Sequence, residues 1–296
     1  MSRGVASVLL MVLGVGFGAG TTVVLLRSPG GSTKNYRGKE VPVVLGIAAA
    51  AALFGAVLIV FSIVLWTHRP GRPEVIRREA LLTVVACLIV FLGGLYDDRR
   101  GGPERGLTGH FRELLSGRVT PGIVKLVASV AAAALVAWAY RSSVLTAMVA
   151  FPVMAGAANL WNLLDVRPAR ALKYFLPVSF LLLIASGQSQ YGLIASAAFG
   201  ASLAVFPFDL AERAMLGDAG SNLFGFVVGV GLFQALPLWG LLVALAAILA
   251  LHWAAETVTL SRVIESTPPL QWFDRLGRPA DEPGEREVGE ESRYRW

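Results

Sequence analysis

The chain predicts an all-α, polytopic integral membrane protein, and three observations carry that reading. Of its 296 residues, 55% are hydrophobic and only 16% charged, whereas a soluble domain carries about a quarter charged. The mean hydropathy is +0.63. The apolar residues gather in blocks of about 17 to 25, the length a helix needs to cross roughly 30 Å of hydrocarbon. The short alternating segments of a membrane β-barrel are absent.

Nine spans can be marked, at roughly 4–26, 41–66, 80–96, 122–139, 143–163, 174–187, 191–207, 222–236 and 238–258. The sixth is short and the last two abut at Pro237, so ten is the alternative count. The first span exceeds the usual signal-peptide core of about 7–15 residues and flows into a basic loop, so it reads as a retained helix. Gly14, Gly16, Gly18 and Gly20 within it suggest close helix packing. Residues 1–258 form the membrane domain; 259–296 form a polar cytoplasmic loop and tail whose end, "DEPGEREVGEESRYRW", has the composition of a disordered segment.

Cys87 is the single cysteine and admits no intramolecular disulfide. The pI of about 9.8 reads as topology rather than as nucleic-acid binding, because Lys and Arg in a membrane protein mark the cytoplasmic side. With the N-terminus outside, most of the 26 Lys and Arg residues fall on segments 27–40, 97–121, 164–173, 208–221 and the tail. These segments are therefore expected in the cytoplasm. The loop "THRPGRPEVIRRE" dissents, with four arginines on the opposite side.

Three polar clusters converge on the cytoplasmic side. In "YDDRRGGPERGLTGHFRELLSGRVTPGIVKLV", Asp97 and Asp98 sit at the mouth of the third span and Lys125 enters the fourth. The aspartates either pair with Arg99 and Arg100 at the interface or bind a metal and activate a phosphate oxygen. In "AANLWNLLDVRPARALK", Asn159, Asn162 and Asp165 share one helical face. That face either bonds a neighbouring helix or lines a polar cavity. Pro168 then breaks the helix, and Arg167, Arg170 and Lys173 supply cations suited to phosphate. In "FPFDLAERAMLGDAGSNLFGF", Gly217 and Gly220 flank Asp218 ahead of the eighth span. Asp218 and Ser221 either cap that helix or help present its N–H groups to an anion. Acidic and amide groups with cations between them suit magnesium and a polyphosphate, since the ion is usually held by one or two carboxylates plus substrate oxygens.

In this order, "YDD", "TPGIVK", "NLWNLLD" and "MLGDAGSNLFG" resemble the motifs of the polyprenyl-phosphate N-acetylhexosamine-1-phosphate transferases. That membrane family is filed as glycosyltransferase family 4 and includes phospho-N-acetylmuramoyl-pentapeptide transferase. "KNYRGKEVPVVLG" is a weaker match, and the resemblance runs from about residue 27 to 240. It implies that 1–258 is a catalytic domain in the cell membrane, with its active site facing the cytoplasm. The implied reaction is magnesium-dependent transfer of a sugar 1-phosphate from a nucleotide-sugar, a UDP-sugar in the family, to polyprenyl phosphate. Asp97 resembles the proposed base that deprotonates the lipid phosphate, and Asp98 would help position metal and phosphates. Asp218 resembles the magnesium ligand, Lys125 would contact phosphate, and Asn162 and Asp165 would shape the diphosphate and metal pocket. The implied metal set is Asp218, Asp98 and Asp165, with Asn159 and Ser221 expected at the substrate. The implied partners are polyprenyl phosphate, a nucleotide-sugar and the membrane, with no nucleic acid; a homodimer is left open.

The departures fall where donor choice resides. After "NLLD" the family usually continues Gly-Leu-Asp-Gly, but Pro168 stands where that second aspartate would be. Met215 replaces an aromatic residue, and Phe208, with Asp209 alongside, replaces an asparagine. The histidine-rich loop is missing: His68, His110 and His252 are scattered, and His110 reads as an ordinary loop residue. In its place stands "SRVIESTPPLQWFDRLGRP", with no further helix expected after it. The expectation is a divergent member with an altered donor, or one that binds its lipid without turnover. Arg167, Arg170 and Lys173 are expected to replace lost donor contacts. Arg262, Glu265, Asp274, Arg275 and Arg278 either close over the donor or belong to an interfacial segment anchored by Trp272 and Phe273. A transporter would place its charges near the midplane, whereas these gather at one face. A topology reporter fused near Arg72 is expected to be active only on the extracytoplasmic side; cytoplasmic activity would reverse the assignment.

Overall fold

The computed structural model describes residues 2–27, 31–66, 78–101, 106–140, 142–186 and 189–279. Helix α1 (Arg3–Arg27) leads into a short antiparallel hairpin of β1 (Ser32–Lys34) and β2 (Glu40–Pro42), followed by α2 (Leu45–Trp66) and α3 (Arg78–Arg100). Then come α4 (Gly106–Leu115), α5 (Pro121–Ala139), α6 (Val144–Leu164), α7 (Arg170–Ser186), α8 (Gln190–Leu210), α9 (Gly217–Ala235) and α10 (Leu238–Thr257). Two short helices, α11 (Leu260–Ser266) and α12 (Pro268–Arg275), complete the described chain.

The nine expected spans correspond to α1, α2, α3 and α5 to α10. Seven helices are long and apolar enough to cross a membrane; α7 and α9 are not among them. The reason is local: α7 has only 17 residues, and α9 carries Asp218, Ser221, Asn222 and Gln234 among its apolar residues. The chain is a multi-pass membrane protein. The hairpin, α4, α11 and α12 were not anticipated, because each is too short or too polar to give an apolar period. The loop around Arg72 and the acidic tail end lie outside the described residues.

Small residues set the packing, as expected where burial from water offers helices little drive to associate. Helix α9 is buried along almost its whole length and is contacted by α2, α3, α6 and α7. Helix α1 lies on α2 and α8. A Cβ at Gly14 would come within 2.8 Å of the Ala197 carbonyl oxygen, and one at Gly18 within 2.6 Å of Ala204 Cβ. Gly16 and Gly20 face open space, so only half of that glycine series is a packing feature. At Gly94 a Cβ would stand 2.5 Å from the Asp218 carbonyl oxygen, which brings α3 and α9 backbone to backbone at the polar end of the bundle. Cys87 is buried and free.

Gly94→Ala should destabilise the protein by about 1–3 kcal/mol, because the added methyl meets backbone that cannot swing aside. Gly16→Ala should be silent. Thermal unfolding of the two variants in one detergent checks this; equal midpoints would refute the close α3–α9 contact.

Candidate active site

The two aspartates of "YDD" continue the helix: α3 runs through Arg100, so Asp97 and Asp98 leave its last turn in different directions. Asp97 reaches α5, where its Oδ2 lies 2.7 Å from Lys125 Nζ. The same ammonium lies 2.5 Å from Asp218 Oδ2 at the start of α9. One cation thus holds two carboxylates from separate helices.

Asp98 turns to the end of α9. Its Oδ1 accepts from the Asp218 N–H at 2.8 Å and its Oδ2 from the Ala219 N–H at 2.9 Å. A carboxylate satisfying free N–H groups at the positive end of a helix is a favourable cap. This corrects the sequence expectation in two ways. Two of the α9 N–H groups expected to face a substrate anion, those of Asp218 and Ala219, are taken by Asp98. The cap is supplied by α3 rather than by Asp218 or Ser221, and Ser221 instead donates to the Gly217 carbonyl at 2.8 Å. Gly217 makes the approach possible: its φ is +71°, and a Cβ there would lie 2.9 Å from Asp98 Oδ1.

Asn162 closes the group from α6. With its amide oriented by its surroundings, it donates to Asp218 Oδ1 at 2.8 Å and accepts from Lys125 Nζ at 3.0 Å, with Ser221 Oγ also at 3.0 Å. Asn222 donates to the Asp218 carbonyl at 2.7 Å. Asp165 follows at the end of α6. Lost solvation, then the nearby carboxylates of Asp209, Asp218 and Asp98, raise its carboxyl well above the usual range, opposed by an N–H bond from Gly217.

Asn159 bonds across to α10, its Nδ2 lying 2.9 Å from His252 Nε2, and also lines a cavity. Both readings of this helical face therefore hold together. The cavity, of about 120 Å³, opens beside Lys125 and is also lined by Ser129, Asn162, Asn222 and Glu256. His252 and Glu256 carry no local mark in the sequence that would make one a partner of α6 and the other a lining residue of this cavity.

The basic run after α6 serves another purpose. Arg170 is fully buried, donating through Nε and Nη2 to the two Asp274 carboxylate oxygens at 2.8 and 2.9 Å, and through Nη1 to Ser261 at 2.7 Å. Lys173 donates to the Asp274 carbonyl at 2.5 Å, and Arg278 Nη2 lies 2.5 Å from Asp274 Oδ1. Arg170 and Lys173, expected at substrate phosphate, instead fasten α11 and α12 to α7. Arg167 stacks over the Tyr36 ring at 4.7 Å and reaches Glu265 at 3.4 Å. Within the tail, Phe273 packs on Tyr174 and Trp272 stays exposed.

Glu212 was also missed. It accepts from Asn35 at 3.2 Å, Tyr36 at 3.1 Å and Arg37 at 3.2 Å, tying the β1–β2 turn to the loop before α9. Beneath this turn lies a cavity of only about 20 Å³, lined in part by Tyr36, Asp165, Pro168, Asp209 and Met215. Arg262 and Arg275 form no part of the cluster described.

Carboxylate and amide oxygens from α3, α6 and α9 thus gather around a single ammonium at one polar end of the helical bundle. Residues 80–235 match the model of glycosyl transferase family 4, and the chain belongs to that family. No curated protein matches the chain.

Burial alone would raise the Asp274 carboxyl, but the Arg170 bonds and the charges of Arg170, Arg278 and Lys173 outweigh it and hold the carboxyl below its ordinary range. Its contribution to tail docking is therefore full above the free carboxylate pKa and is lost as pH falls through the lowered value. Asp274→Ala strands the buried Arg170 and should cost about 3–5 kcal/mol of docking energy. Amide exchange in 260–275 should rise in the variant; unchanged protection would refute the latch.

Proposed function

We propose that the protein transfers a sugar 1-phosphate from a nucleotide-sugar, a UDP-sugar by resemblance, to polyprenyl phosphate at the cytoplasmic face of the cell membrane. The products are a polyprenyl diphosphate sugar for envelope assembly and a nucleoside monophosphate. The observation that carries this reading is the convergence of Asp97, Lys125, Asn162 and Asp218 from four helices beside a polar cavity at the membrane-domain end.

In the proposed step, an oxygen of the lipid phosphate attacks the phosphorus that bears the sugar. The bond from that phosphorus to the bridging oxygen breaks, and the electron pair leaves on the nucleoside monophosphate. Asp97 takes any proton remaining on the attacking phosphate. Lys125 faces the developing charge on the phosphates, and the rigid helix ends hold donor and acceptor in line. Asp98 orders the start of α9 and so fixes Asp218.

The donor set fits magnesium. Asp218 and Asp165 offer hard oxygens, and the cluster around Asp165 carries more carboxylates than cations. Among the described residues no three acidic or histidine side chains are grouped to hold an ion by themselves, so substrate oxygens would complete the shell. Asp98, engaged with the α9 amides, is the least suited of the three expected ligands. When bound, the ion would neutralise the diphosphate and stabilise the leaving nucleotide.

A second reading is a lipid-binding protein without turnover. The small volume beneath Tyr36 and the use of Arg170 and Lys173 by the tail favour it. Nucleotide release from a panel of nucleotide-sugars, with undecaprenyl phosphate and magnesium, separates the two. The transferase should release nucleotide with one donor, fall by roughly a hundredfold or more in Asp218→Asn, and stop on chelation. No release with any donor, with lipid binding retained, would establish the second reading.

A further inference from the structure

At the end of the bundle remote from the candidate active site, α3, α5 and α6 enclose a groove of about 740 Å³. That volume falls within the roughly 300–1,000 Å³ typical of small-molecule sites. Trp138 lies 13 residues after Lys125 on α5, which places the groove about 20 Å along the helix from the acidic cluster. Its lining is almost wholly apolar and includes Ala134, Trp138, Val144, Met148 and Phe151. Trp138, Val144 and Met148 are 60%, 77% and 68% exposed, so no described protein segment covers them.

The mouth carries a charge. Arg78, the first residue of α3, lies with its guanidinium 4.5 Å from the centre of the Trp138 ring, and Ser142 also lines the groove. No carboxylate of the described residues pairs with Arg78, and none lines the groove. Glu79 lies about 100° further round the helix, where its charge acts on Tyr140 instead. A guanidinium resting on a ring face keeps its N–H fork free for a phosphate. Tryptophan and arginine at the end of a span are also the residues that mark headgroup level.

We propose that this groove seats an anionic phospholipid of the leaflet opposite the active site, with one acyl chain along α5 and α6 and its phosphate on Arg78. The chemistry selects that occupant. A soluble anion would leave the apolar wall uncovered, while the ammonium of a zwitterionic headgroup would find no carboxylate partner among the described residues that line the groove. The site is separate from the proposed transfer reaction and does not depend on it.

The test uses the full chain in nanodiscs of equimolar phosphatidylglycerol and phosphatidylcholine, followed by mild extraction and native mass spectrometry of retained lipid. Wild-type protein should retain phosphatidylglycerol roughly fivefold over phosphatidylcholine, the preference expected of one cation at a membrane surface. Arg78→Gln should abolish the preference and Arg78→Lys should restore most of it. Ala134→Trp, which fills the groove from an exposed position, should reduce retention of both lipids. Equal retention by the wild type, an unchanged preference in Arg78→Gln, or retention of added undecaprenyl phosphate in place of phosphatidylglycerol would each overturn the proposal. Normal tail protection by amide exchange in every variant excludes misfolding as the cause.

Discussion

The interaction on which the site depends is the Lys125 ammonium set between Asp97 and Asp218. Carboxylates at the edge of a hydrocarbon layer lose much of their hydration, and like charges there repel strongly. A single cation entering from α5 offsets both at once and draws the ends of α3 and α9 together. Asp98 reinforces the same junction by bonding the first amides of α9. Gly94 and Gly217 remove the side chains that would hold these backbones apart. Charge and packing thus impose one geometry, and substituting either kind of residue would disturb the other.

Around that junction two covers are held in place by ionic contacts. The β1–β2 turn is held down by Glu212, whose own φ of +54° places it in a strained region for a residue with a side chain. The tail helices are held by Arg170, a guanidinium with no exposure that would be costly without Asp274. These covers occupy the region where the family motifs depart most. There Arg170 and Lys173 of α7 latch the tail helices in place. A basic run that looks made for phosphate is, in three dimensions, a structural clasp.

Seven of the spans were legible because each is a long apolar block, and hydrocarbon thickness sets its length. The candidate site was legible as motifs: Asp97, Lys125, Asn162 and Asp218 do meet. Their roles were less so. Asn159, Asn162 and Asp165 could be placed on one face from helical spacing, but only the neighbour across the gap decided that Asn159 bonds His252. Glu212 left no signal and Asp274 was legible only as one charge of the tail, since an acidic residue in a polar segment reads as solvated until its cation appears from more than a hundred residues away.

By itself the sequence determined the all-helical membrane class, the order of the spans, the family and the side on which the polar groups gather. These follow from properties carried by contiguous residues: hydrophobic length, helical period and short motifs. Only the tertiary structure decided which carboxylate caps α9, which pair Lys125 bridges, and that Arg170 and Lys173 face the tail rather than a substrate. A side chain's charge is written in the chain, but its partner is chosen by where separate helix ends come to rest.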